Sequence, residues 1–179
     1  MAKDTGVTFS FDVCSQCRSI CCQDAKPPLT NNRKKIIKKY IREQKIDLNN
    51  PFVQEEYSYP DVDEKIYCRL FNKSTGKCMV HPVKPETCVA GPVTFNINFC
   101  TKKVEWFLKT KELCAFAGVL FEDKATFKKH FEIAKQQILT LITQLSADEL
   151  RALMKIDEPL TFKFAEDNLP KDVVKKLGL

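Results

Sequence analysis

The sequence predicts an α+β fold, and three observations carry that reading. Short β-like runs separated by turns fill residues 52–100. A stripe of apolar residues at three- and four-residue spacing runs from Phe127 to Leu145. The cysteines are confined to residues 14–114. Together they describe a small irregular and antiparallel β metal-binding region followed by a helical C-terminal third. The chain has 179 residues and shows no internal repeat, low-complexity run or interdomain linker. It reads as a single domain, 1–179, with a Cys-rich core at about 14–118 and a helical tail at 119–179.

The elements follow in order. Residues 1–30 read as irregular structure around Cys14, Cys17, Cys21 and Cys22. Thr30-Asn31-Asn32 supplies capping side chains for a helix to about Gln44, with Ile36, Ile37, Tyr40 and Ile41 on one narrow face. Arg33, Lys34, Lys35, Lys38, Lys39 and Arg42 form a solvated basic face opposite. Asp47 to Pro51 is a break. Ile66–Phe71 is a strand, Asn72–Lys77 a turn containing Gly76, and Cys78–His81 the returning arm. Val93–Phe99 and Lys103–Leu108 form a second pair, with alternation at Phe95, Ile97 and Phe99. Cys100, read as part of an apolar strand, is expected to be a small buried hydrophobe, and Trp106 belongs to the core.

Beyond residue 120, Phe127, Phe131, Ala134, Ile138, Ile142 and Leu145 make the buried stripe of a long helix. His130 is placed on its lysine-rich, solvent-facing side. Ser146 and Glu149 fit a capping box that opens a short helix to about Lys155. Phe162 and Phe164 suggest a brief extended segment. Lys171–Leu177 is a last turn or two of helix before Gly178.

Composition removes several function classes. Hydrophobic residues are 44% and charged residues 29%, the balance of a folded chain. Gly is only 5, which argues against a Gly-rich phosphate cradle. The longest apolar stretch, Leu113–Phe121, is far short of the roughly 20 residues a membrane helix needs. Met1–Gly6 has no apolar signal segment, so the expected compartment is the cytoplasm. The net charge of +6 is carried almost entirely by lysine. Lysine makes point contacts rather than bidentate ones, which argues against nucleic acid and leaves room for a protein partner or a larger enzyme complex. No Ser/His/Asp constellation, H-E-x-x-H, P-loop or dinucleotide fingerprint is present, so no catalytic residue is assigned.

The 9 cysteines are the chemical signal. An odd number without an export signal points away from a disulfide framework and toward metal ligation. Cys14-x2-Cys17-x3-Cys21-Cys22 is a compact knuckle, because a tight turn brings two sulfurs together while backbone N–H groups face them. Adjacent Cys21 and Cys22 diverge, so one of them serves a second site or is buried. Cys68, Cys78 and Cys88 follow at ten-residue intervals, then Cys114. The hairpin places Cys68 near Cys78, and Pro82 and Pro85 stiffen the approach to Cys88. The N-terminal loop is expected to pack against this hairpin. His81 stands at C-x-x-H spacing from Cys78. Four thiolates make one site and eight make two. One knuckle joined to dispersed single cysteines favours an iron–sulfur cluster of 4Fe–4S type, with zinc or mononuclear iron as alternatives.

These residues resemble the YkgJ-type cysteine-cluster family of zinc- or iron-chelating domains, which includes the N-terminal part of flagellin lysine N-methylases. Besides the opening knuckle, Cys68-Arg69-Leu70, Gly76-Lys77-Cys78-Met79-Val80-His81 and Lys84-Pro85-Glu86-Thr87-Cys88 follow the family's central stretch. Cys114, with Gly118 after it, resembles the late cysteine. His81 stands where the family usually has Tyr, and Lys84 and Val89 where it has Arg. Abundant metal-type thiols beside no acid–base pair, nucleophile–base pair or nucleotide cradle point to a metal-cluster protein serving as an electron-transfer, redox or accessory subunit of a larger enzyme system. Its alternatives are a lysine N-methylase-like enzyme and a zinc-stabilised interaction module. The methylase reading needs an acidic or Gly-rich nucleoside pocket, and the sequence shows neither.

Overall fold

The computed structural model describes residues 27–52, 68–72, 74–153 and 160–179. The chain is α+β. Helix α1 (Asn31–Glu43) is followed by a minimal hairpin, β1 (Phe71–Asn72) and β2 (Lys77–Cys78). A 3-10 turn (His81–Val83) and a short helix α2 (Glu86–Ala90) lead into β3 (Val93–Asn98) and β4 (Lys103–Lys109). Then come α3 (Ala115–Glu122), α4 (Lys124–Gln144), α5 (Ala147–Leu153), β5 (Thr161–Asn168) and α6 (Lys171–Leu177). Strands β3, β4 and β5 form one antiparallel sheet in that order.

Helix α1 begins where the capping residues predict. The Thr30 hydroxyl accepts from the Arg33 N–H at 3.1 Å. Ile37 and Ile41 are buried and Tyr40 is half-buried, whereas Ile36 is exposed. Leu29, Phe52, Leu70 and Val80 complete a core beneath this helix, and Cys68 belongs to it. The basic face is not wholly solvated. Arg33 turns inward and donates to Gln137 Oε1 at 2.6 Å, while Lys35, Lys38, Lys39 and Arg42 stay exposed.

The hairpin turn is built by Asn72. Its Oδ1 accepts from the backbone N–H groups of Ser74 and Thr75 at 2.9 and 3.1 Å. Gly76 then takes φ +67°, the left-handed region that favours glycine.

The larger sheet holds the main core. Val93, Ile97, Val104, Trp106 and Leu108 point to one face and are buried. The Trp106 indole N–H donates to Asp167 Oδ2 at 2.8 Å. Strand β3 stops one residue earlier than predicted, because Asn98 Oδ1 accepts from the Thr101 N–H at 3.0 Å and starts the turn. Phe99 and Cys100 lie in that turn and are exposed. The expectation that Cys100 is a buried hydrophobe is therefore corrected.

The extended segment at Phe162 and Phe164 is a full strand of eight residues. It pairs with β4 and so builds the C-terminal part of the chain into the sheet. A register shift between Trp106 and Phe107 leaves Phe164 as the extra residue. The bulge aims its ring at α4, where it meets Phe127 and Phe131 edge-on with centroids 5.2 and 4.9 Å away.

Asp123 caps α4 by accepting from the N–H groups of Ala125 and Thr126. The stripe of α4 buries Ala134, Ile138, Leu141 and Ile142 against the sheet. His130 is buried with them at 3% exposure, which corrects its placement on the solvent side. The capping box forms reciprocally: the Ser146 N–H donates to Glu149 Oε2 at 2.7 Å, and the Glu149 N–H donates to Ser146 Oγ at 3.2 Å. Helix α6 ends at Gly178, whose φ of +72° lets the Leu179 N–H turn back to the Val174 carbonyl.

The outward face of the sheet carries an ion-pair ladder. Lys163 Nζ bridges Glu105 Oε1 and Glu166 Oε2 at 2.8 Å each, and Lys103 also bonds Glu166. The hydrogen bonds from Lys103 and then Lys163 lower the Glu166 pKa from 4.5 to about 2. The pKa is depressed in the fold, so the ladder's contribution is complete above about 4.5 and fades as the pH falls toward 2. The carboxylate is solvent-exposed, so the effect is small and screened by salt. Thermal scans across this window are expected to show a shallower acid loss in Glu166→Gln than in the parent. Identical acid profiles would show that the ladder contributes nothing.

Candidate metal centre

Four of the eight predicted ligands lie in the described residues. Cys68 sits just before the hairpin, buried at 7% exposure, and its carbonyl accepts from the Phe71 N–H at 2.8 Å. Cys78 ends β2 directly opposite Phe71. The hairpin therefore brings Cys68 and Cys78 into the same core, Cys68 inside it and Cys78 packed against it. Cys88 is the middle residue of α2 and is half-buried. Cys114 is the N-cap residue of α3, half-buried against the main core. Cys100 is the exposed exception. Cys14, Cys17, Cys21 and Cys22 lie outside the described residues, as does the expected packing of their loop on the hairpin.

The local sequence explains each placement. Pro82 favours the first turn of the 3-10 segment, and Pro85 supplies the extended N-cap from which α2 starts. What reads in the sequence as a stiff loop before Cys88 is thus two short helical turns. Cys68 also lines an open cleft with Asp47, Asn49, Arg69 and Met79, where Arg69 donates to the Asn49 carbonyl at 3.2 Å. His81 is exposed at the start of the 3-10 turn. Desolvation and then Lys84 hold its pKa below the usual imidazole value.

Two buried polar residues flank the Cys88 helix, neither of which the sequence marks as part of the site. Glu86, at 2% exposure, opens α2. Its Oε1 accepts from the Thr30 hydroxyl at 2.6 Å and lies 3.7 Å from Arg33 Nε. A single hydroxyl thus caps α1 and ties α2 to it. His130 Nε2 donates to the Ala90 carbonyl at 2.9 Å, at the other end of α2. Burial, aided by Lys84 and opposed by the Ala90 hydrogen bond, lowers the His130 pKa, which favours the neutral ring. His130 could have been found by spacing alone, since His130, Ala134, Ile138 and Leu141 recur at helical intervals. Glu86 had no such signal, because its partners come from distant segments.

Among the described residues, no three Cys, His, Asp or Glu side chains group closely enough to hold an ion. The donor type still suits zinc or iron, which take thiolate ligands: Cys68 is buried and Cys78, Cys88 and Cys114 are half-buried, whereas Cys100 is exposed. The order of the cysteines, together with the family match, places the chain in the cysteine-cluster metal-binding class. The chain is a member of the CxxCxxCC family, whose description is "Putative zinc- or iron-chelating domain" and whose match covers residues 13–115. The spacer between Cys17 and Cys21 has three residues here, one more than the family's name spells out. No curated protein and no solved structure matches the chain. Among the described residues, no helix is long and apolar enough to cross a membrane.

Proposed function

We propose that this chain is an iron–sulfur protein of 4Fe–4S type that serves as an electron-transfer, redox or accessory subunit of a larger enzyme system. The observation that carries this reading is the sorting of the cysteines. Cys100 is exposed, whereas Cys68 is buried and Cys78, Cys88 and Cys114 are half-buried, on the hairpin, α2 and the start of α3 within the matched family domain. Adding Cys14, Cys17, Cys21 and Cys22 makes eight thiols, enough for two four-thiolate sites.

A bound cluster supplies reversible one-electron chemistry. The chain's own residues hold the thiols on the hairpin, α2 and the start of α3, with Cys68 buried and the other three half-buried. A reducing compartment keeps such thiols available, and on that ground we place the protein in the cytoplasm. The exposed lysines of α1 offer a docking face for an acidic protein partner, whose binding weakens as salt screens it.

Anaerobic purification with metal analysis and a visible spectrum tests the reading. Iron with sulfide, and a broad absorption that bleaches with dithionite, is the expected result. A colourless protein carrying stoichiometric zinc would overturn the iron–sulfur assignment in favour of a zinc-stabilised module.

A further inference from the structure

Helix α4 lies beyond the residues matched by the family domain, yet it grips the two cysteine segments nearest to it. The His130 Nε2–H bonds the carbonyl of Ala90, two residues after Cys88. The same ring packs perpendicular to Phe116, two residues after Cys114, with centroids 5.1 Å apart and planes at 90°. Two turns further along the same face, Gln137 accepts from Arg33, which pairs with Glu86, two residues before Cys88. Helix α2 has only five residues. A helix of that length has no stability of its own, so these anchors decide where Cys88 sits.

Burying an imidazole at this position carries a desolvation cost that an apolar residue would avoid. Its polar atom is directed at a helix-terminal carbonyl, one of the orphan acceptors of α2. We propose that His130 is a positioning residue for the metal centre, tying the segment that carries Cys88 to the segment that carries Cys114. The thiols are then held at a set separation before the metal arrives, which removes an ordering cost from binding. This inference rests on the metal-binding reading above. It adds that metal affinity depends on a residue outside the cysteine-cluster domain.

The experiment compares His130→Leu, which keeps the bulk and removes the donor, with His130→Gln, whose amide N–H takes the place of Nε2–H. Full-length apoprotein is titrated anaerobically with cobalt(II), read from the thiolate-to-cobalt and d–d absorption bands. Melting temperature and the rate of Cys88 alkylation in the apoprotein are measured alongside. Removing a residue that orients a metal ligand costs roughly 10-fold or more in affinity. The Leu variant is expected to lose about that factor in cobalt affinity, shift the d–d bands and alkylate faster at Cys88, with Gln restoring most of each. If Leu lowers only the melting temperature, leaving affinity, bands and alkylation rate unchanged, His130 is an ordinary core histidine and the inference is overturned. If the parent binds no cobalt, the metal-binding reading is in difficulty, and the alkylation rate alone still decides whether His130 braces Cys88. Should the Leu variant not fold, His130→Asn, whose amide stops short of Ala90, replaces it with the same expected losses.

Discussion

Cys68→Ser is expected to release most of the bound metal and to lower the melting temperature with it. Cys68 is the most buried of the described cysteines and sits in the core under α1 with Leu70 and Val80. Exchanging sulfur for oxygen changes the volume of that core little, but it removes a soft thiolate donor that neither zinc nor iron–sulfur chemistry replaces with a hydroxyl. Metal binding and folding share one free energy in such domains, and structural zinc sites contribute about 10–16 kcal/mol. A partial loss of ligation therefore outweighs the packing change. Metal per chain after exposure to a chelator, together with a thermal scan, measures the effect. Cys100→Ser is the matched control, because its side chain is exposed, and it is expected to retain metal and melting temperature. Equal metal loss in the two variants would sink the division into shielded ligands and a surface thiol.

Trp106→Ala is expected to be the most damaging change in the main core. The side chain is fully buried on the central strand, its ring meets Phe131 edge-on at 5.6 Å, and its N–H is bonded to Asp167. Truncating a buried Trp costs about 3–5 kcal/mol, of the same order as the 5–15 kcal/mol that a domain has in total. Urea unfolding should show the midpoint falling by that proportion or a chain already partly unfolded in buffer. Trp106→Phe keeps most of the ring and loses only the N–H to Asp167, so it is expected to cost far less. A Phe variant as unstable as the Ala variant would shift the weight from burial to the hydrogen bond.

Both expectations concern residues whose importance the sequence could show. Trp106 reads as core, and Cys68 stands at ligand-like spacing. The caps were equally legible: Thr30 and the Ser146–Glu149 box lie within three residues of the groups they bond. Strand β5 was less so. Its outward residues Lys163 and Glu166 pair with each other and, across the sheet, with Glu105 and Lys103 of β4, and its bulge at Phe164 breaks the two-residue rhythm that marks a strand. Cys100 was misplaced because a run of apolar neighbours looks like strand interior, whereas Asn98 ends the strand with its own side chain.

By itself the sequence determined the α+β class, the starts of α1, α5 and α6, the β3–β4 pair, the buried stripe of α4 and the cysteine pattern that marks the family. Each of these is written in spacing or in contacts a few residues long. Only the tertiary structure decided which of the described thiols are shielded, that β5 completes the sheet, and that Glu86 and His130 are buried beside Cys88. Those outcomes rest on partners 56 and 40 residues away, Thr30 for Glu86 and Ala90 for His130. A polar side chain enters a core only where such a partner meets it, and no local periodicity encodes that meeting.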